Sequence, residues 1–361
     1  MFHAASRDFC KKANIKLPII QAPMAGSIVT PALVAEVSKY GGLGTLPLGY
    51  LSIDDARAMI QATAEHTKQF VVNVFVPSIA TQTDQQHIDK MLTYINTYRI
   101  KLGLTALSEI APSTEPDIEK LLEMIVDEGV SMLSITFGIL NQAAMEQLRL
   151  QGVFVMGTAT TVAEGLALES SGCHAVIAQG YEAGGHRGGG FLKNDQGGLI
   201  GTMALIPQMV DALNIPVIAA GGIMEGRGIA AALTLGATAV QMGTAFLLCD
   251  ESKASPMHKQ AILNAPSETI CTTAAFTGKV VRGVHNEFVT ATERLFAADD
   301  LLPYPLQHQV TRELRQKANQ DKCAAYAGLW SGQATQLGRA LSVQTLMKTL
   351  EDETMAAWQH N

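Results

Sequence analysis

The sequence predicts an α/β fold, a (β/α)8 TIM barrel that carries a smaller lid domain. Eight short apolar segments, each typical of a buried strand, recur between residues 17 and 244, and helical segments separate most of them. Such alternation indicates parallel strands with helices outside the sheet. A barrel of about 250 residues leaves part of the 361-residue chain for additional structure. A doubly wound sheet is the alternative, but no G-x-G-x-x-G motif follows the first strand.

Capping signals and glycines place the elements in order. The strands are predicted at 17–24, 43–46, 70–76, 132–136, 153–157, 174–178, 215–222 and 239–244. Thr30-Pro31 begins a helix, because Thr accepts from free backbone N–H groups and Pro fits the first helical position. Ser52 and Thr161 begin two more helices with capping-box spacing. The other barrel helices are predicted over 116–128, 141–150, 199–213 and 226–235.

Two segments interrupt this alternation. Residues 77–115, with a possible helix over 85–98, read as an insertion after the third strand. After the eighth strand come a short helix at 256–263, a turn-rich and partly β-like region up to 290, and a helix at 309–322. An amphipathic helix at 333–350 is predicted to close the barrel. The predicted domains are therefore a barrel, residues 1–76, 116–249 and 333–351, and a lid domain, residues 77–115 and 250–332.

Composition narrows the class of protein. A net charge of −7 and a pI near 5.7 argue against a nucleic-acid partner. The five cysteines are scattered, so neither a disulfide framework nor a zinc site is indicated. The N-terminus lacks the pattern of a signal peptide, and no apolar run is long enough to span a bilayer. We expect a cytoplasmic protein with no membrane partner, either a monomer or a homodimer.

A glycine-rich loop follows the sixth predicted strand and contains a histidine. It reads Gln179-Gly180-Tyr181-Glu182-Ala183-Gly184-Gly185-His186-Arg187-Gly188-Gly189-Gly190. In a barrel, chemistry takes place at the C-terminal ends of the strands. Glycine lets the backbone approach a ligand closely, and histidine moves protons near neutral pH. His186 is therefore the predicted catalytic residue, against the alternative of a flexible surface loop with an incidental histidine. Glu182 could orient the loop through bonds to backbone N–H groups.

Other strand ends carry groups suited to a ligand. Gly221-Gly222 and Gly243-Thr244 follow strands seven and eight, where barrels commonly bind phosphate; the alternative for the double glycine is a tight turn. The amides of Asn73, Gln179 and Gln241 could hydrogen-bond the edge of a neutral heterocycle such as a flavin, or could serve internal hydrogen bonding. Met24 and Phe137 could pack on a ring face or belong to the core.

Four stretches together resemble a known family. They are Gln21-Ala22-Pro23-Met24-Ala25-Gly26, the loop Gln179–Gly188, Ala219-Ala220-Gly221-Gly222-Ile223 and Gln241-Met242-Gly243-Thr244-Ala245-Phe246. They resemble the FMN-dependent nitronate monooxygenases, formerly 2-nitropropane dioxygenases, and best the class I subgroup. The resemblance spans most of residues 17–250 and, more loosely, Trp330-Ser331-Gly332-Gln333. Ser27 stands where many members have glycine.

The resemblance implies both a cofactor and a reaction. It implies FMN, bound by Ala22, Met24, Asn73, Gln179, Gly184, Gly221, Gly222, Gln241, Met242, Gly243 and Thr244. His186 would take the α-proton of a nitroalkane or bind the nitronate, and Tyr304 would reach the substrate from the lid. The implied reaction is oxidation of nitronates such as propionate 3-nitronate, or of nitroalkanes, by O2 to a carbonyl compound and nitrite, which would detoxify nitroalkanes.

Three alternatives stay open at this point. A related flavin-dependent enoyl-acyl-carrier-protein reductase or quinone reductase would share the Gly-Gly-His loop but use NAD(P)H. A flavin-binding module without catalysis would not need His186. A colourless barrel lyase or isomerase acting on sugar phosphates would lack flavin absorption bands.

Overall fold

The computed structural model describes residues 3–77, 83–111, 116–192 and 198–359. Its strands are β1 (Ile19–Gln21), β2 (Gly44–Pro47), β3 (Phe70–Phe75), β4 (Met132–Thr136), β5 (Phe154–Ala159), β6 (Ala175–Gln179), β7 (Gly185–His186), β8 (Val217–Ala220), β9 (Ala239–Met242), β10 (Ile270–Thr273) and β11 (Val281–Val284). Its α-helices are α1 (Ala4–Ala13), α2 (Pro31–Lys39), α3 (Ile53–Ala64), α4 (Gln85–Lys101), α5 (Ile118–Asp127), α6 (Gln142–Leu150), α7 (Val162–Ser170), α8 (Thr202–Ala212), α9 (Gly226–Thr234), α10 (Thr244–Leu247), α11 (Pro256–Asn264), α12 (Glu287–Leu295), α13 (Leu306–Gln320) and α14 (Val343–Gln359).

Eight parallel strands form the predicted barrel. Their order is β1-β9-β8-β6-β5-β4-β3-β2, and a parallel bridge between Ile20 and Leu43 joins the two ends of this sheet. Almost every residue of these strands is buried, as expected where helices cover the outside and side chains fill the inside. The predicted fold class is confirmed.

The caps predicted from sequence are present. Thr30 accepts a hydrogen bond from the Leu33 N–H group, and Ser52 accepts one from Asp55. Thr161 accepts one from Glu164. Each cap satisfies a backbone donor that the first helical turn leaves unpaired, which explains why these helices begin where the sequence indicates.

Two helices differ from the prediction. Helix α1 was not predicted; its Phe9 and Ala13 pack with Ile20 and Leu43 in the inner core of the barrel. The closing helix was predicted from residue 333, but α14 begins at Val343, because residues 335–337 form a 3-10 turn and extended chain follows it. Helix α14 packs against α9 and α2. It therefore occupies the place of the eighth barrel helix, as the sequence indicated.

A second hydrophobic core lies outside the barrel. It joins α4, α12, α13 and the segment after β10, and includes Tyr98, Phe276, Phe288 and Leu314. The β-like part of the turn-rich region is the antiparallel pair β10–β11, whereas helix α12 was not predicted. Ala254 and Ile262, beyond the predicted boundary at 250, pack with the barrel core.

We propose that the second core belongs to the lid domain. An ion pair of 2.7 Å between Arg99 of α4 and Glu313 of α13 joins the insertion to the segment after the barrel. This contact is consistent with one domain made from residues 77–115 and 250–332. The parts of the predicted insertion at 78–82 and 112–115 lie outside the described residues.

Within the described ranges, no helix is long and apolar enough to cross a membrane. In the same ranges, no group of three or more His, Cys, Asp or Glu side chains is arranged to hold a metal ion.

Candidate active site

A cavity of about 580 Å³ opens at the C-terminal ends of the barrel strands. Strand ends and the loops that follow them line it, together with residues of α13 and of the chain near Trp330. Most of the predicted site residues line this cavity, namely Ala22, Met24, Asn73, Gln179, Gly184, His186, Gly221, Gly222, Gln241, Gly243 and Thr244.

Two predicted residues are placed differently. Met242 does not line the cavity, because its side chain is buried in the barrel core. Tyr304 is buried behind the cavity wall, and its ring centre lies 6.1 Å from that of His186. Tyr304 therefore packs beside the predicted catalytic residue without lining the cavity.

The loop that contains His186 is held by hydrogen bonds to barrel residues. Gln179 at the end of β6 donates from Nε2 to the His186 carbonyl (3.0 Å) and accepts from the Gly188 N–H group at Oε1 (2.8 Å). The two-residue strand β7 pairs with β11, with His186 opposite Val281. The Gln179 amide thus serves internal hydrogen bonding, one of the two roles considered for it, and pairing with β11 fixes the backbone of the loop.

A buried carboxylate holds the far end of the same loop. Glu164 accepts from the Thr160 N–H group (2.6 Å), the Thr160 hydroxyl (2.8 Å) and the Gly190 N–H group. The capping box predicted at Thr161 is therefore only half formed, since the carboxylate bonds to these groups instead of the Thr161 N–H group. A side chain at Gly189 would collide with Glu164, so the loop must be glycine where it passes over this carboxylate.

His186 lines the cavity and contacts the turn between β10 and β11. Its Nε2 atom lies 3.1 Å from the Thr277 hydroxyl, and the rings of Phe137, Tyr304 and Trp330 surround it at 5.5, 6.1 and 6.4 Å. Burial, with smaller contributions from the charges of Arg315 and Lys279, lowers the pKa of His186 to about 3. The imidazole is therefore neutral at physiological pH, which is the form that accepts a proton.

The charged side chains among the described lining residues of the cavity are cations. Lys253, Arg312 and Arg315 are among its lining residues, whereas none of the described lining residues is Asp or Glu. Burial lowers the pKa of Arg315 to about 10, so its guanidinium still carries a charge at neutral pH. In a chain with a net charge of −7, such a cavity favours anions.

The loops after β8 and β9 bring glycine backbone to the cavity. Gly221 and Gly222 have φ values of 108° and 70°, a region that favours glycine. Glu182 accepts from the Thr202 N–H group (2.8 Å) and hydroxyl (2.8 Å), which agrees with its predicted bonding to backbone N–H groups. Gly332, in the loosely matching tail, donates from its N–H group to the Thr244 hydroxyl (2.9 Å).

The lining residues fit a flavin. The Asn73 amide donates to Ser134 and Thr136, while its Oδ1 atom is buried without a partner among the described residues. A buried acceptor without a donor is costly, and a heterocycle with an N–H group would satisfy it. A Cβ atom on Gly243 would meet only Ala22, at 3.7 Å, so the backbone there is open to a ligand.

Sequence reasoning missed several residues of the cavity. Thr277 contacts His186 across 91 positions of the chain, and no local sequence pattern indicates this contact. His308, Arg312 and Arg315 lie on α13 at spacings of four and three residues, and all three line the cavity. Since residues at such spacings share one side of a helix, this set could have been found as a basic stripe within the predicted lid.

Comparisons with known proteins agree with the geometry. A sequence model described as nitronate monooxygenase matches residues 7–353. The chain is 43% identical over 340 residues to a probable nitronate monooxygenase of Staphylococcus saprophyticus, with 93% of this chain and 94% of the relative covered. A probable nitronate monooxygenase of Staphylococcus haemolyticus is 42% identical, with 96% and 97% covered.

Solved structures give the same picture. Nitroalkane oxidase from Streptomyces ansochromogenes superposes with a TM-score of 0.88 at 34% identity, covering 97% of this chain and 99% of that chain. FabK from Thermotoga maritima superposes with a TM-score of 0.76 at 25% identity, covering 98% and 97%. Because the family match and the Staphylococcus relatives extend over nearly the whole length, this chain belongs to the nitronate monooxygenase family.

Proposed function

We propose that this protein is an FMN-dependent enzyme that oxidises alkyl nitronates, and the nitroalkanes from which they form, with O2 to a carbonyl compound and nitrite. One observation carries the proposal: the neutral His186 imidazole shares a cavity with three cations and, among the described lining residues, no carboxylate. A base is needed to deprotonate a nitroalkane, and cations are needed to hold the resulting anion.

The hydrogen bonds around His186 support one tautomer of its ring, and with it one nitrogen as the proposed base. The Thr277 hydroxyl has a single proton, which it donates to the Lys279 carbonyl at 3.0 Å. It can then only accept from His186, so the proton of the neutral imidazole is assigned to Nε2. Nδ1 is left with a free electron pair. We assign to this atom the removal of the α-proton of a bound nitroalkane.

The cations of the cavity stabilise the product of that proton transfer. Loss of the α-proton places negative charge on the two oxygens of the nitro group. Arg312 and Arg315 lie on the same side of α13 as His308 and line the cavity. Because Phe137 and Trp330 also line the cavity, water screens charges beside them less than it would at the surface. A nitronate with a carboxylate, such as propionate 3-nitronate, would use more than one cation.

FMN is supported by the two glycine-bearing loops at the cavity. Gly221-Gly222 and Gly243-Thr244 would hold its phosphate, and Asn73 would accept from its ring. When bound, the flavin supplies the redox chemistry that couples nitronate oxidation to O2. The five cysteines are free thiols, which fits the reducing cytoplasm. The oligomeric state, monomer or homodimer, stays a prediction.

The competing flavin reductase is the less supported function. The FabK structure is similar over the whole chain, but at a lower TM-score and identity than nitroalkane oxidase. Both functions predict a yellow protein, so the electron donor separates them. A sugar-phosphate lyase or isomerase would be colourless.

To test the proposal, the purified yellow protein is mixed anaerobically with either NADH or propionate 3-nitronate. Bleaching of the flavin absorbance is then recorded. Oxygen consumption and nitrite release are then measured with propionate 3-nitronate and with neutral nitroethane. We expect rapid bleaching and nitrite release with the nitronate, and slow bleaching with NADH. Rapid bleaching by NADH alone would support the reductase, and an absorption spectrum without flavin bands would overturn the proposal.

A His186→Asn variant tests the assigned base. Turnover of neutral nitroethane should fall by about 10² to 10⁴-fold, the usual contribution of a general base, while turnover of the preformed nitronate should fall far less. A variant with unchanged turnover of both substrates would indicate that His186 is not catalytic, as expected for a flavin-binding module.

A further inference from the structure

A second histidine lines the cavity in a fixed orientation. His308 of α13 is buried, and its ring stacks on that of Tyr50 at 4.3 Å with an interplanar angle of 9°. Tyr50 has a φ of 73°, a left-handed conformation that non-glycine residues seldom adopt. The strained Tyr50 backbone thus presents its ring flat against His308.

The hydrogen bonds of His308 determine its tautomer. Nη2 of Arg315 lies 3.2 Å from Nδ1 of His308 and also 3.2 Å from the His308 carbonyl oxygen. A guanidinium only donates hydrogen bonds, so Nδ1 must be the accepting nitrogen. The proton of the neutral ring is therefore on Nε2. Among the described residues, no hydrogen-bond partner of Nε2 is found.

Electrostatics keep this ring neutral. Burial, followed by the charges of Arg315, His186 and Arg312, lowers the pKa of His308 to about 2. A neutral imidazole with its proton on Nε2 is a donor at that atom over the whole physiological range. His186 has the same tautomer, but the other nitrogen is left unbonded. Its Nε2 proton is donated to Thr277, and the free electron pair is at Nδ1. The cavity thus contains one imidazole that accepts and one that donates.

We propose that His308 is a further catalytic residue, whose Nε2–H group donates a hydrogen bond to an oxygen of the nitro or nitronate group of the substrate. This inference rests on the proposed function. As His186 removes the α-proton, negative charge develops on the nitro oxygens. A donor already directed at one of them stabilises the transition state more than the neutral ground state, which raises the rate. Arg315 fixes the tautomer that makes this possible.

Two matched substitutions test the role of Nε2. His308→Asn keeps an acceptor near the position of Nδ1, for Arg315, but has no donor at the position of Nε2. His308→Gln extends an amide N–H toward that position. With neutral nitroethane, we expect kcat/KM to fall by about 10² to 10³-fold in His308→Asn, the usual cost of losing one oxyanion donor, and by less than about tenfold in His308→Gln.

Nitrate provides a readout that does not depend on turnover. It is a planar oxyanion that resembles the nitronate group, and its competitive inhibition constant should rise in His308→Asn and stay near the wild-type value in His308→Gln. Flavin content and circular dichroism check that both variants fold. The inference would be overturned if His308→Asn had the same kcat/KM as the wild type. It would also be overturned if both variants lost kcat/KM equally while their nitrate inhibition constants stayed at the wild-type value. Absence of nitronate oxidation in the wild type would instead overturn the proposed function.

Discussion

Nε2 of His186 lies 3.1 Å from the hydroxyl of Thr277, a residue 91 positions further along the chain. The histidine belongs to the loop after β6, and the threonine to the turn between β10 and β11. A barrel loop thus carries the proposed base, and a segment after the eight barrel strands holds the hydroxyl from which its tautomer is assigned.

Thr277 should control catalysis through this hydrogen bond. In Thr277→Val the Nε2 proton loses its acceptor, so the tautomer with a free Nδ1 is no longer favoured. We expect kcat/KM for neutral nitroethane to fall by roughly tenfold, in line with the loss of one neutral hydrogen bond. Turnover of preformed propionate 3-nitronate should change little.

Thr277→Ser is the matched control, because it keeps the hydroxyl and removes only a methyl group. It should keep most of the wild-type activity with nitroethane. Equal losses for both substrates in Thr277→Val would instead indicate a structural defect of the lid.

Glu164 should be needed to hold the His186 loop. Its carboxylate accepts from two N–H groups and one hydroxyl, and in Glu164→Gln the side-chain amide would oppose one of these donors with its own N–H group. We expect the free energy of unfolding to fall by about 2 to 4 kcal/mol, as for lost hydrogen bonds to a buried charge. Urea denaturation monitored by circular dichroism measures this change.

Glu146→Gln provides the comparison for that experiment. Glu146 is exposed on α6 and pairs with Arg149, so the substitution should leave the free energy of unfolding nearly unchanged. If both variants were equally stable, the Glu164 contacts would not hold the loop.

A substitution at Gly243 should affect ligand binding without affecting folding. A Cβ atom there would meet only Ala22 within the protein, and the Gly243 φ of −102° suits any residue. Gly243→Ala should therefore keep the unfolding midpoint of the flavin-free protein, while the Kd for FMN rises by about tenfold or more because a methyl group occupies the proposed phosphate cradle.

Gly228→Ala in α9 is the control for that titration. Gly228 does not line the cavity, and its added Cβ atom would make only ordinary contacts with Ile223. Fluorescence titration with FMN should give the wild-type Kd. An unchanged Kd in Gly243→Ala would place the phosphate elsewhere.

Lowering the pH should destabilise the protein already at pH values well above those at which carboxylates become protonated. Burial lowers the pKa values of His186, His258 and His308 to about 3, 4 and 2. Between about pH 6.5 and about 4 these residues are protonated in the unfolded chain and neutral in the fold, so stability is present above about pH 6.5 and falls as the pH is lowered. The three together should remove on the order of 4 kcal/mol by about pH 5.5.

Urea denaturation at about pH 8, 6.5 and 5.5, at one fixed FMN concentration, measures this decrease. His258→Gln should reduce the pH-dependent part by about one third, because one of the three titrating groups is gone. Stability that is constant over this pH range would contradict the assignment of neutral, buried imidazoles.

Local signals in the sequence are enough to predict the barrel and most of its site. Apolar strands and capping residues are such signals, so β1–β6, β8 and β9 and the helix starts at Thr30, Ser52 and Thr161 could be predicted from short segments. The glycines at 221, 222 and 243 and the loop with His186 could also be found, because a parallel barrel brings all strand ends to one rim.

The roles of the polar side chains, in contrast, depend on how distant segments meet in the folded chain. Nothing local indicates that Gln179 bonds its own loop, that Glu164 reaches Gly190, or that Thr277 and Arg315 set the protons of His186 and His308. A hydrogen bond depends on distance and direction within a few tenths of an ångström. Hydrophobic periodicity carries no such information, because it specifies which side of an element is buried and not which atom it meets.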